Sequence, residues 1–532
     1  MNAVLPLSSV TKPRPFVPSE MQTSFFSWVS GGRGCAILEA VAGSGKSTTI
    51  VRALTFIPEW VPVLILAFNA AIVTEMKEKV AALGKELGRD FRNVRVSTFH
   101  SLGFGALKKL FNCDHRAIKT DPNKLLTLAE QLWSAETVEL YGSFVCDLVS
   151  LAKGEGIGTG LCHDETREWT RLIEHHDLTH SSYDADDETA IRLARELLSH
   201  STTVAKDKRW IDYDDMLYLP LKWRLKHFGQ GWVFIDEAQD TNPARRAMAR
   251  GALKVGGRLC AVGDRRQAIY GFTGASHDAL DLIAQDFNAT RMPLTVSYRC
   301  PQAALEAVGH LAPEFSVHAS APRGSYRRYV TLDDALKVLK PTDAVVCRNV
   351  APLVTLAYGL MRRRVACRIL GREIGAGLVK LVKSMRAKTL DAMLEKLEAW
   401  RERETAKFLA QKKEQKADAV DDRVNCVLEF VSQLDENSRT VPKLIAAIEA
   451  TFSNEDGSPR LTLMSCHKAK GLEFESVALL RSDLMPSPWA RQEWQQEQER
   501  NLEYVAGTRF KLNMMVLSDD GSEKKVKKEG GQ

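Results

Sequence analysis

CAILEAVAGSGKS, residues 35 to 47, sets a short apolar run against a glycine-rich turn and the start of a helical stretch that continues from Thr48 to Phe56. A strand that empties through such a turn into a helix aims the amides of the turn and of the helix N-terminus at one point, which suits an anion. Gly43 and Gly45 stand where the chain must curl around it. Lys46 is then placed to neutralise the β and γ phosphates of a nucleotide, and Ser47 to ligate Mg²⁺. Ala42, Ser44 and Thr48 complete the expected phosphate cradle.

Outward from this unit the pattern repeats. VPVLILAF at 61 to 68 leads into a helical pattern from Ala70 to Leu83, and strand-like runs return at Trp232 to Ile235 and Arg258 to Val262. Between them, from Leu102 to about Lys206, the chain reads as amphipathic helices. Alternating strand and helix signals imply a parallel sheet with helices on its faces. A second alternating block opens near Pro293, with strands expected at Asp343 to Cys347 and Cys367 to Leu370. It turns helical from Glu373 to about Asn454, then resumes strands at Leu461 to Met464 and Ser476 to Leu480. The fold class is therefore α/β, with two parallel-sheet units, each interrupted by a helical insertion. The charge run EKLEAWRERETAKFLAQKKEQKAD at 395 to 418 is expected to be a solvated helix, and the polar tail DDGSEKKVKKEGGQ to be disordered.

VFIDEAQD, residues 233 to 240, ends an apolar run in two adjacent carboxylates. Such a pair can divide the labour of hydrolysis, with Asp236 holding a hydrated Mg²⁺ while Glu237 takes a proton from an attacking water. Phosphoryl transfer also needs positive charge opposite the phosphate loop. Arg299 in LTVSYRCP and Arg509 in EYVAGTRF are the candidates.

Composition bounds the partners. At 532 residues the chain exceeds one core, and roughly three to four domains are expected. The longest apolar stretch, Val61 to Val73, is broken by Pro62 and Asn69 and is too short to span a bilayer, so no membrane is expected. MNAVLPLSSVTKPRPF lacks the layout of a secretory signal. A cytoplasmic setting in a bacterial or phage-infected cell is expected, with a nuclear one left open. The ten cysteines form no CxxC pair, which argues against a disulfide framework or zinc ribbon, and Cys162, His163, His175 and His176 match no ligand spacing. A net charge of +6 permits a polyanionic partner without demanding one.

Read in order, these segments resemble the superfamily 1 helicases of the UvrD, Rep and PcrA type. Gln22 in PSEMQTSFF, AVAGSGKS, LAFNAAIVTEM at 66 to 76, STFHSLG at 97 to 103 and IDYDDML at 211 to 217 precede VFIDEAQD. VGDRRQAIYGFTGA at 262 to 275, LTVSYRCP, LTLMSCHKAKGLEFESV at 461 to 477 and ERNLEYVAGTRFKL at 499 to 512 follow it. The resemblance implies two RecA-like P-loop NTPase motor domains, residues 1–102 with 207–290 and residues 291–372 with 455–518. It implies helical insertions at 103–206 and, much reduced, at 373–454, and a basic tail at 519–532.

By position, the resemblance implies that Gln22 reads the adenine edge and Tyr298 stacks on the ring, with Lys470 and Glu473 lining the nucleotide pocket and Glu473 near the ribose. Gln267 senses the γ-phosphate, and Arg299 and Arg509 act as arginine fingers on ATP. Phe68, Tyr270 and Phe272 contact bases of single-stranded DNA, and Asn69, His100, Ser465 and His467 complete the strand track. The implied activity is ATP-driven movement 3′ to 5′ on single strands with unwinding of tailed duplexes, by a monomer or weak oligomer. The alternative is an ATPase subunit that signals through its helical insertions to a partner nuclease or a replication or defence complex.

The chain departs from the pattern in places. Ala40 opens the phosphate loop where the generic motif has glycine, and AFNAA lacks the hydroxyl and lysine of TFTNKAA. Gly507 and Phe510 interrupt a stretch that often reads AMTRA. Arg265 and Arg266 are expected to restore some charge toward the strand. No nuclease segment is expected after the last motif.

Overall fold

The computed structural model describes residues 16–518 except 177, 179, 181–184, 226–228, 270, 272–277, 411–413, 436–438, 453–459, 489 and 491. The expected base contacts Tyr270 and Phe272 and the tail 519–532 lie outside the described residues.

The first sheet begins with β1 (Ala36–Ala40), β2 (Val63–Ala67) and β3 (Val94–Thr98). The chain then enters a helical insertion that carries a short strand pair, β4 (Lys119–Thr120) and β5 (Trp210–Ile211). It returns with β6 (Gln230–Ile235), β7 (Leu253–Gly263) and β8 (Thr290–Leu294). Their order is β3-β2-β6-β7-β1-β8, and every pairing is parallel. Near-continuous Val, Ile, Leu and Ala follow from burial on both faces. Leu38, Val63, Ile65 and Phe234 enter one core, while their neighbours Ile37, Leu64, Leu66 and Ile235 enter another, as a period of two requires. The second block does not open at Pro293. That residue pairs with Glu39 inside the first sheet, because β8 flanks β1.

A small parallel pair, β9 (Val296–Ser297) and β10 (Ser316–Val317), leads into the second sheet. Its strands are β11 (Ser325–Val330), β12 (Ala344–Cys347), β13 (Cys367–Ile369), β14 (Leu461–Ser465), β15 (Phe474–Leu480) and β16 (Phe510–Leu517). The order β11-β16-β15-β12-β14-β13 is again parallel throughout. The second insertion leaves after β13 and returns at β14. Its helices share one core with the outer face of this sheet, through Met393, Leu397, Val427, Phe430 and Leu444.

The charge run at 395 to 418 differs from expectation. It spans two helices, Leu390–Ala410 and Glu414–Ser432, rather than one solvated rod. Leu397 is fully buried, Lys407 nearly so, and Arg401 Nε reaches Asp421 Oδ1 at 2.8 Å to join the pair. The long stems of Lys and Arg let a charged sequence cover an apolar seam.

In the first insertion, the acidic segment at 211 to 217 supplies a buried ion cluster. Lys124 Nζ lies 2.6 Å from Asp215 Oδ2, and Lys153 Nζ lies 2.8 Å from Asp215 Oδ1 and 2.5 Å from Asp212 Oδ2. Lys124, Lys153 and Asp215 have no exposed side-chain surface. Removing one partner leaves uncompensated buried charge, so Asp215→Ala is expected to lower stability by about 3–5 kcal/mol. The exposed control Asp207→Ala is expected to stay within about 0.5 kcal/mol. Denaturant unfolding of the full chain measures both, and equal losses would show that the cluster stabilises nothing.

Candidate nucleotide site and strand track

The phosphate loop links β1 to the helix Lys46–Ala53. Gly43 and Gly45 adopt φ of +73° and +83°, in the left-handed region that glycine occupies without strain. A Cβ on Gly43 would also sit 2.6 Å from Ser297 Oγ and 2.7 Å from Arg299 Cβ. Glycine is therefore required there for conformation and for close approach. Across this contact, the Tyr298 amide donates to Gly43 O at 2.9 Å.

β6 delivers Asp236 and Glu237 beside the loop, with Lys46 Nζ 3.2 Å from Glu237 Oε1. Glu237 has φ +52°, a conformation an ordinary side chain adopts only under local constraint. Gln239 Nε2 donates to its Oε2 at 2.5 Å. Burial and the Glu237 charge push the Asp236 carboxyl well above the usual range. Burial acts on Glu237 in the same direction, but Lys46 and Lys470 outweigh it and hold that carboxyl low. Burial would lower the Lys46 ammonium, yet Glu237, Asp264 and Asp236 together raise it. One carboxylate of the pair is thus kept ionised by cations drawn from both sheets.

The loop and carboxylates face a cavity of about 610 Å³, walled on its other side by Arg299, Lys470, Glu473 and Arg509. Arg299 Nη1 donates to Glu473 Oε1 at 2.7 Å. Arg509 is 1% exposed and is braced by Nε on Val505 O at 2.8 Å and Nη2 on Thr508 Oγ1 at 2.8 Å. Burial, with Arg299 nearby, pushes its guanidinium down to about 10, so it remains a cation at neutral pH. A larger groove of about 1020 Å³ lies between the helix Ala70–Leu87 and β3, but it holds neither the phosphate loop nor the carboxylate pair. Volume alone does not locate the chemistry.

Lys46, Ser47, Asp236, Glu237 and Gln267 join Arg299, Lys470, Glu473 and Arg509 around this one cavity, as do Gly43, Ser44, Gly45 and Thr48. Three of the expected nucleotide residues stand beside it rather than in its lining. Gln22 is buried, its Oε1 accepting from the Ser19 amide and its Nε2 donating to Thr49 Oγ1 at 2.9 Å. Tyr298 is 44% exposed with its ring centroid 5.0 Å from that of His318, and the Ala42 amide donates to Tyr504.

The expected strand residues divide. Phe68 and Asn69 line this same cavity, and Asn69 Oδ1 accepts from the Ile72 amide as a helix cap. The Phe68 ring lies under the Arg245 guanidinium, 4.8 Å from its centroid. His100 opens the helix Phe99–Phe111, its imidazole held low by burial and Arg245. Ser465 and His467 border a separate cavity of about 460 Å³ with Arg348, Trp494 and Glu499. Burial, reinforced by Arg348, pushes His467 down to about 4, so it is a neutral hydrogen-bonding group there. Arg265 and Arg266, expected to add charge toward the strand, are both engaged by acidic partners. Arg265 Nη2 pairs with Asp281 Oδ1 at 3.0 Å, and Arg266 Nε and Nη2 pair with Glu314 at 2.8 and 2.9 Å.

Sequence reading missed Asp264, Asn501, Tyr504 and Arg245. Arg245 Nη1 donates to Asp240 O at 2.9 Å, and Lys470 Nζ sits 2.7 Å from Asp240 Oδ2. The first three lie inside the segments compared with the helicases; nothing local marks Asn501 and Tyr504, whose partners are distant in sequence, whereas Asp264 accepts from the nearby Arg266 amide and Gln267 Nε2.

A family profile for the UvrD/REP helicase N-terminal domain matches residues 25–288, and one for the UvrD-like helicase C-terminal domain matches residues 173–519. The ATP-dependent DNA helicase Rep of Escherichia coli (strain K12) is 26% identical over 303 residues, which is 52% of this chain and 41% of that protein. F-box DNA helicase 1 of Gallus gallus is 25% identical over 520 residues, 90% of this chain and 46% of that protein. The chain thus spans less than half the length of either relative.

Proposed function

The chain belongs to the UvrD/Rep helicase family, and from that membership we propose that it is an ATP-dependent DNA helicase that moves 3′ to 5′ on single-stranded DNA and opens tailed duplexes. One observation carries the reading: Lys46, Glu237 and Gln267 from the first sheet, Arg299 from just after β9 of the small strand pair, and Arg509 from just before β16 of the second sheet line a single cavity. A site built from both walls of a cleft couples hydrolysis to relative movement of those walls.

Lys46 neutralises the β and γ phosphates at the helix N-terminus. Glu237, ionised and oriented by Gln239, accepts the proton of the attacking water. Arg299 and Arg509 bring fixed positive charge to the oxygens where negative charge gathers in the transition state. Ser47 and Asp236 would hold a Mg²⁺ ion, whose charge screens the phosphates when bound. Gln22 and Tyr298, beside the cavity, serve the adenine ring. Phe68, Asn69, His100, Ser465 and His467 serve the strand. No described helix is long and apolar enough to cross a membrane. The protein acts as a monomer or weak oligomer, in the cytoplasm, with its helical insertions open to protein partners.

Polarity rests on family likeness, so it is the property to measure. Duplexes with a 3′ or a 5′ single-stranded tail, each in DNA and RNA versions of the tracking strand, are incubated with the protein and ATP. Displacement from the 3′ DNA tail is expected. Displacement only from the 5′ tail would reverse the polarity. DNA-stimulated hydrolysis without displacement would favour an ATPase that signals to a nuclease or to a replication or defence complex. The second reading draws on the second insertion, whose helices are fused to the core of the second sheet instead of standing free as a separate arm.

A further inference from the structure

The turn that carries Gln267 is gripped from the opposite side of the cleft. Residues Arg265–Gln267 form a single 3-10 turn after β7, and three of its backbone carbonyls or their immediate neighbours accept from the second-sheet unit. Asn501 Nδ2 donates to Arg265 O at 3.3 Å and to Ala268 O at 3.0 Å. Lys470 Nζ donates to Gln267 O at 2.6 Å. Asn501 and Tyr504 stand three residues apart on the helix Glu493–Gly507, hence on one face. The fully buried Tyr504 hydroxyl accepts from the Ala42 amide of the phosphate loop at 2.9 Å. It also lies 3.5 Å from Asp264 Oδ2, the long limit of a hydrogen bond. That same oxygen accepts from Gln267 Nε2 at 2.6 Å. The Asp264 amide in turn donates to Gln239 Oε1 at 3.1 Å, and Gln239 holds Glu237.

The geometry points to Tyr504 and Asn501 as positioning residues that set Gln267 and Glu237 for hydrolysis only when the two sheet units are closed on each other. This rests on the ATPase reading above and deepens it. The hydroxyl is one atom shared between the phosphate loop and the Asp264–Gln267 pair, and it belongs to the opposite wall. Opening the cleft removes it from both, and removes Asn501 and Lys470 from the carbonyls of the turn. Gln267 and, through Asp264 and Gln239, Glu237 then lose their fixed orientation together. Neither Asn501 nor Tyr504 lines the nucleotide cavity, so their influence is exerted through the residues they hold. Burial, and then the Asp264 charge, hold the phenol protonated far above neutral pH, which keeps the bridge intact across the working range.

The test is steady-state ATP hydrolysis by the full chain, with and without single-stranded DNA, for the wild type, Tyr504→Phe, Asn501→Ala, Gln267→Ala and the double variant Tyr504→Phe with Gln267→Ala. Tyr504→Phe removes only the oxygen. It is expected to lower the DNA-stimulated kcat about tenfold, or about 1.4 kcal/mol in the barrier, with KM for ATP within about twofold. Asn501→Ala is expected to behave alike, which protects the inference if one variant folds poorly, as a thermal melt would reveal. Because part of the Tyr504 effect runs through Gln267, the double variant should lose less than the product of the two single losses. Wild-type kcat in both single variants, raised KM with unchanged kcat, or fully additive losses would each overturn the clamp. A wild-type protein that hydrolyses no ATP would instead overturn the ATPase reading and the clamp with it, an outcome distinct from the other three.

Discussion

Lys46→Ala is expected to lower ATP hydrolysis by about a thousandfold or more, with and without DNA, and to abolish strand displacement. Two separate losses combine. The ammonium that neutralises the β and γ phosphates is gone from the phosphate loop, AVAGSGKS, which carries no other cation. Glu237 also loses the nearest of the cations that hold it ionised against burial, so the base becomes easier to protonate just where it must accept a proton. Phosphate release under saturating single-stranded DNA reads the first effect. A pH profile of the residual rate reads the second, since a raised Glu237 pKa moves the acid limb of the profile to higher pH. Retained DNA-stimulated turnover would mean that the phosphate site lies elsewhere in the chain.

Glu237→Gln separates binding from chemistry. Glutamine has the same shape and can keep a contact with Gln239, but it cannot take a proton. The expected result is a fall in kcat of about a hundred- to ten-thousandfold, the usual range for a lost general base. ATP should still bind, because Lys46 is retained and no longer drawn toward a carboxylate. Single-turnover hydrolysis together with equilibrium binding of a fluorescent nucleotide distinguishes the two. A variant that keeps a tenth of the wild-type rate would show that another group accepts the proton, with the neighbouring Asp236 the first to test.

Much of this site is legible in the amino-acid order because its chemistry is local. CAILEAVAGSGKS and VFIDEAQD each carry their strand, turn and functional groups within a dozen residues, and the alternation of apolar runs and helical patterns predicts parallel sheets correctly. Three of the four edge strands of the two large sheets escape that reading. VRVST in β3 and SYRRYV in β11 have one strand neighbour, and most of their side chains remain at least partly exposed, so no continuous apolar run marks them. β8 escapes for a related reason: TRMPL holds one fully buried residue, and its place beside β1 depends on pairing with a strand some 250 positions earlier. The clamp of Asn501 and Tyr504 is illegible for the same cause. The bond from Ala42 to Tyr504 spans 462 positions, and periodicity carries no information over such a distance.

The order β3-β2-β6-β7-β1-β8 places the first strand to be made between two of the last. β1 ends at Ala40, whereas β7 begins at Leu253 and β8 at Thr290, so more than 200 residues must be synthesised before β1 has a neighbour on either side. At about 5–20 residues per second, the phosphate loop waits on the order of 10–40 s during translation without its sheet. An apolar strand left open for that long is a template for mispairing. The first insertion, with its own core around Trp169 and Leu148, is complete before that wait ends. Nascent-chain arrest after residue 225 and after residue 330, followed by brief proteolysis, would show the insertion protected at the first point and β1 only at the second.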